Sequence, residues 1–381
     1  VLVLSVSLAA VVLLAIAPAM AQPNASYGAI VASEAADTLT RVRFGPGGLV
    51  AERSIPTGLM PTDIDGPHGV ALAPDGRSYV VTLAHGQPEG ALWKYSTADD
   101  RVVGRVSLGL FPATVQITPN GDFAYVVNFN LHGDRTPSSV SVVATAPMLE
   151  VARIPTCLMP HGSRFNPAGT RHYSACMMDD RLVEIDTATM RVARQFVLTR
   201  GGEGGRGGAT TAAAGREPAA ASHAGGHGAE APPPGSDACS PTWAQPSSDG
   251  RRVFVACNGT SEIVEVDVEA WSVTRRLPAG PGVYNLAVTH DGRRLLATNR
   301  RGQSVSVFDL TSGRELARVA TKRRVVHGVA VTSDDHYAFV TAEGVGNEPG
   351  AVEVLDLTTL AIVASLDVAS QAGGVDVMSV P

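Results

Sequence analysis

The sequence predicts an all-β fold, a seven-bladed β-propeller of four-stranded blades, and three observations predict it. A fifteen-residue segment recurs along the chain, its copies keep a near-constant spacing, and each carries a tight turn between two apolar runs. The copies are PHGVALAPDGRSYVV from Pro67, PATVQITPNGDFAYV from Pro112, PHGSRFNPAGTRHYS from Pro160, PTWAQPSSDGRRVFV from Pro241, VYNLAVTHDGRRLLA from Val283 and VHGVAVTSDDHYAFV from Val326. Their turns fall at Gly76, Gly121, Gly169, Gly250, Gly292 and Asp335, giving intervals of 45, 48, 81, 42 and 43 residues.

The long interval contains a 38-residue tract, residues 201–238, without one Ile, Leu, Val, Met, Phe, Tyr or Trp. Such a stretch has nothing to bury and reads as a disordered insert. Without it the interval falls to 43, so the tract interrupts an array instead of joining two domains. Each repeat reads as four short strands, as in YNLAV, RLLAT, SVSVFDL and ELARVA from Tyr284 onward. Asp-Gly between alternating apolar runs is a hairpin signal. Six turns make six blades, and the seventh is split. Residues 28–55 supply three strands without an inner one, and residues 373–380, GGVDVMSV, supply an inner strand with nothing after it. Joining them closes a single domain over residues 28–381, at about 45 residues per blade.

Residues 1–21, VLVLSVSLAAVVLLAIAPAMA, are uncharged and end in Ala-Met-Ala, the small-x-small form of a signal-peptide cleavage site. The expectation is export to the periplasm or outside the cell, with cleavage before Gln22 and a short linker over residues 22–27. Left uncleaved, the same run is long enough to anchor the chain in a bilayer, the one route to a membrane partner. The net charge of −6 leaves no broad basic surface and argues against nucleic acid as a partner.

The stretches PDGRSYVVT, NGDFAYVVN and DGRRLLATN resemble the YVTN repeat of YncE-like bacterial seven-bladed propellers, over nearly the whole chain that follows residue 21. The resemblance implies the fold. For activity it implies little, because such propellers serve as binding proteins, surface-layer components and portions of redox enzymes.

In a four-stranded blade, the loops from the second to the third strand and from the fourth to the next blade share one face. The long segments at 85–90, 131–139, 344–350 and 62–66, and the insert, all fall there, and loops on a rigid scaffold are where binding concentrates. Aligned repeats place Gly373, His68, Ala113, His161, Thr242, Tyr284 and His327 at the start of the seven inner strands, near the channel mouth. Three imidazoles on converging strands, His68, His161 and His327, suit a transition metal, the one cofactor this pattern suggests, with Met159 and Cys176 as further ligands. The other reading is that His-Gly is a repeat feature whose imidazoles bond backbone or water.

Cys176 and Cys257 each lie seven residues after a turn glycine, while Cys157 and Cys239 precede the inner strands of the same repeats. The hairpin brings each pair together, so disulfides Cys157–Cys176 and Cys239–Cys257 are expected in an exported protein. A thiolate site joining Cys176 to His161, or buried free thiols, are the rival readings. Arg300 and Arg301, with Lys322, Arg323 and Arg324, cluster around Tyr284 and His327 as a patch for an anionic ligand, opposed by Asp179 and Asp180. The partners these features suggest are a protein, a glycan or a small anion. Other signals carry no chemistry. The GxGxxG match at residues 202–207 follows no βαβ unit, and His223 and His227 stand in the apolar-free tract. The sequons at Asn24 and Asn258 carry no weight by themselves, and no GxSxG elbow, HExxH helix or zinc-ribbon spacing marks an enzyme.

Overall fold

The computed structural model describes residues 23–60, 63–86, 89–207 and 237–378. The segment read as a signal peptide, and most of the insert with His223 and His227, lie outside these residues. The described chain forms seven antiparallel sheets, numbered here as blades one to seven, with strands a to d running outward from the central channel. Blade one joins Ala372–Met378 to Tyr27–Ser33, Thr38–Gly45 and Gly48–Pro56, so the C-terminal strand is the inner strand of the N-terminal blade. Val31 pairs with Val375 and Ala29 with Val377 across that closure.

Blade four carries a fifth strand. Gly204–Gly207, within the tract read as disordered, pairs with Arg191–Val197, whose outer edge is open to a further strand. The backbone N–H of Arg200 donates to Asp237 O at 3.3 Å and ties the base of the insert.

Alternation sends every second side chain of a blade into the interface with its neighbour. Seven apolar clusters result, one between each adjacent pair of blades. Their large members, such as Tyr79, Phe254, Phe308 and Phe339, are fully buried, each worth roughly 1.5–3 kcal/mol. The cluster of Tyr27, Val31, Phe339, Val352 and Ala372 spans blades seven and one and seals the ring.

The inner strands are stitched by a repeated polar contact. A bulge follows the first residue of most a strands and frees the N–H of the third. In blades two and seven that N–H meets the hydroxyl of a b-strand threonine, Thr82 or Thr341, which donates in turn to the next blade's second-position carbonyl, Ala113 O or Gly373 O. Thr298 does the same for Asn285 N–H and His327 O. Where the b strand has Val127 or Ala256 instead, an inner-strand hydroxyl substitutes, Thr114 to His161 O and Thr242 to Tyr284 O. The glycine of His-Gly follows from the same approach. A Cβ on Gly328 would lie 2.5 Å from Gly373 O, and one on Gly162 would overlap the Trp243 ring.

Both expected disulfides are present, Cys157–Cys176 and Cys239–Cys257. They stand where blades three and six have asparagine. Asn128 accepts from Gly109 N–H and donates to Ser139 and Ser141, binding the end of strand b to the preceding loop by hydrogen bonds. In blades four and five a covalent link replaces this tie.

Candidate functional site

Three rings of residues build the channel mouth. The first precedes the inner strands: Gln371, Gly66, Phe111, Met159, Ser240, Gly282 and Val325 all have positive φ, between 46° and 68°. The second follows the b strands: Glu34, Ala84, Phe129, Met177, Asn258, Arg300 and Glu343. In every blade the N–H of the second-ring residue donates to the carbonyl of the first-ring residue, at 2.8–3.3 Å. This hydrogen bond holds the left-handed residue in place beside the start of the inner strand. For the five residues other than glycine such a conformation costs on the order of 1–3 kcal/mol. The third ring is the expected one, from His68 to His327.

The rings enclose a cavity of about 900 Å³ with two unlike sides. Blades two to four supply an apolar wall of Ala84, Phe111, Ala113, Phe129 and Met177, with Leu131 and Met159 packed against it. Blades one, two, six and seven supply the charges. Glu34 is buried, and its carboxylate meets His68 Nδ1 at 2.6 Å and His85 Nε2 at 2.5 Å. Glu343 accepts two hydrogen bonds from Arg300, at 3.0 and 3.2 Å, and Arg300 lies over the Tyr284 ring, 5.0 Å from its centre. Burial raises Glu343 above the usual carboxylate range although Arg300 pulls it down, and burial likewise raises the Tyr284 phenol. Burial opposes the charge of Arg300, but Glu343 and Tyr284 raise its pKa on balance.

The three imidazoles do meet at the axis. The His68 ring lies 6.3 Å from His161 and 5.2 Å from His327, centre to centre. One of the three, His161, has no nitrogen left to share an ion. His161 Nδ1 lies 2.9 Å from Thr242 O, so it carries the proton, and its Nε2 accepts from Tyr284 OH at 3.0 Å. Blade four lacks a stitching hydroxyl, and His161 makes that contact instead. Burial holds it neutral, with a pKa lowered to about 3, and holds His327 well below the ordinary value. Among the described residues no group of three His, Cys, Asp or Glu side chains is arranged to hold a metal ion. Cys176 is not a ligand, because its sulfur is bonded to Cys157. Met159 belongs to the apolar wall.

The expected basic patch divides in two. Arg300, Arg301 and Arg324 line the cavity. Lys322 and Arg323 instead pair with Asp367 on the outer strand Ala361–Val368, at 2.9 and 3.1 Å. Asp179 and Asp180 form no opposing pole. They accept backbone N–H groups from Leu158, Cys239 and Ser240 and fasten the loops. Glu34, Glu343, His85 and Phe129 escape a reading confined to the inner strands. The repeat contains the signal that finds most of the second ring, since Ala84, Phe129, Met177, Asn258, Arg300 and Glu343 each lie eight residues after a turn position.

No protein-family model matches the chain, and no curated protein sequence does. Solved structures match over most of the length. The periplasmic gluconolactonase PpgL of Pseudomonas aeruginosa superposes with a TM-score of 0.68 at 16% identity, covering 93% of this chain and 100% of that one. Hydrazine synthase of Kuenenia stuttgartiensis gives 0.63 at 18%, with 84% and 92% covered. A functionally unknown protein of Desulfotomaculum acetoxidans gives 0.65 at 15%, with 93% and 99% covered. At such identities the likeness establishes the fold and nothing finer. The chain is a seven-bladed propeller.

Proposed function

We propose that this propeller is an exported binding protein whose channel mouth takes a small organic anion with an apolar portion. The observation that carries the reading is the two-sided cavity, with Phe111, Phe129 and Met177 on one wall and guanidinium groups on the other. Glu34 and Glu343 are engaged by histidine and Arg300. Arg301, bonded to the neutral Asn258, and Arg324, 3.7 Å from Glu348 and 59% exposed, stand at the rim to meet an anion. The disulfides suit an oxidising compartment, and the apolar segment at residues 1–21 and the YVTN-like repeat support export of a YncE-like propeller. Thermal-shift screening with aromatic and aliphatic carboxylates and phosphates tests this. A hit should lose at least tenfold in affinity in Phe129→Ala and in the Arg301→Ala, Arg324→Ala double variant. Hits that bind both variants unchanged, or no hit in a broad anion panel, would reject the reading.

One observation favours a second reading, hydrolysis. Glu34 orients His68 through Nδ1, and His68 Nε2 has no partner, the arrangement of a carboxylate-oriented general base. The likeness to a gluconolactonase points to lactones as the first substrates to assay. Turnover abolished by His68→Gln, with ligand binding retained, would establish it, and equal rates in both proteins would dismiss it.

A further inference from the structure

Beneath the histidines stand the fifth residues of the inner strands. Three are alanines, and two of the polar ones are consumed by stitching. Gln116 accepts from Phe165 N–H of the next blade, and Asp376 accepts from Leu72 N–H and Val377 N–H. Gln245 donates to Pro246 O. Arg164 is different. Its only side-chain hydrogen bond among the described residues goes to the carbonyl of Ser163, beside it in the chain. No described carboxylate comes within ion-pair distance, although Asp376 attracts Arg164 across the channel. The guanidinium stacks on Trp243, 4.5 Å from the ring centre. Burial among the blades lowers its pKa to about 10, a value at which it stays charged at neutral pH.

Arg164 is only partly buried, and a guanidinium drawn partly out of water without an ion-pair partner gains from a nearby anion. Beside it lies a chamber of about 30 Å³, room enough for a water molecule or a small ion. Its wall contains buried polar atoms without partners: Trp243 Nε1, which only donates, His327 Nδ1, and the side-chain oxygen of Asn285. Turned over about its last bond, the Asn285 amide presents N–H in place of oxygen, and the alternative tautomer of His327 presents a third donor. We propose that this chamber is a site for a small monovalent inorganic anion of halide size, held by Arg164 with Trp243 Nε1–H, Asn285 and His327 around it. Arg164 keeps part of its surface exposed, so the site is open to ions from solution.

Bromide is the probe. Crystals of the mature protein soaked in sodium bromide should show an anomalous peak beside Arg164. In solution, chloride or bromide should raise the melting temperature above its value in sodium methanesulfonate of equal ionic strength, by roughly 2 °C at several times Kd. Arg164→Met should abolish that difference. The Arg301→Ala, Arg324→Ala variant, altered only at the mouth, should keep it, which separates this site from the ligand cavity above. No peak in the unaltered protein, or an equal halide response in Arg164→Met, would overturn the proposal and leave ordered water as the occupant. If Arg164→Met does not fold, the anomalous map of the unaltered protein decides alone.

Discussion

At the scale of single residues, buried histidine sets the pH behaviour of this protein. His172 packs between Tyr125 and Phe165 with neither ring nitrogen partnered, and burial, followed by Arg164, lowers its pKa to about 3. His161 is lowered to about 3 as well, and His327 falls well below its ordinary value. The unfolded chain therefore binds more protons than the native one below pH ~6.5. The stability these neutral rings retain is full above that pH and is lost as pH falls toward the folded values, by about 1.4 kcal/mol per pH unit and per group. Urea unfolding at pH 7, 6 and 5 should show this steep loss. His172→Leu should reduce the slope by about one group's share and add about 1–2 kcal/mol at pH 7, because a leucine fills the same apolar space without stranding two nitrogens. An unchanged slope would mean that His172 titrates near its unfolded value.

Strands are joined into blades by hairpins, and blades into a ring by the apolar interfaces and by side chains that hydrogen-bond across to the next inner strand. That contact explains why the fifth residue of strand b is Thr in blades two, six and seven, where it caps the bulged N–H. Thr341 is the most informative case, since it bridges Gly328 N–H to Gly373 O at the closing interface. Thr341→Val keeps the shape and strands both groups, so a loss of about 1–3 kcal/mol is expected in equilibrium unfolding. Thr341→Ser should recover most of it. A serine variant as unstable as the valine one would assign the effect to lost methyl packing instead.

For the whole molecule, stability resides in closure. Seven equivalent interfaces leave no free inner edge only while Ala372–Met378 occupies blade one. A chain ending at residue 371 exposes the edge of Tyr27–Ser33 and opens the cluster around Phe339, and it should fail to melt cooperatively. Replacing residues 208–236 by a short Gly-Ser linker should leave the melting temperature within about 2 °C, since loop length enters closure entropy only logarithmically. Differential scanning calorimetry of the two proteins separates a structural closing strand from a dispensable insert. A truncated protein as stable as the parent would refute the closure, and a large loss on linker replacement would show that the tract packs on the propeller.

The number of blades, the split blade and both disulfides were legible in the sequence, because a repeat states the same local physics six times and a turn glycine keeps its register. Local pattern also placed His68, His161 and His327 on one ring. It did not reveal that His161 spends both nitrogens on Thr242 and Tyr284, because that depends on blade four lacking a threonine where blades two, six and seven have one. Nor did it separate Arg300 from Arg323, which stand in different loops, one lining the cavity and the other paired with Asp367. Glu34 and His85 are 51 residues apart, and Glu34 and His68 are 34 apart. Period and alternation act along the chain and determine the strands. Which charges face each other across the mouth is decided only when the ring closes, because contacts between blades depend on distances that no local pattern encodes.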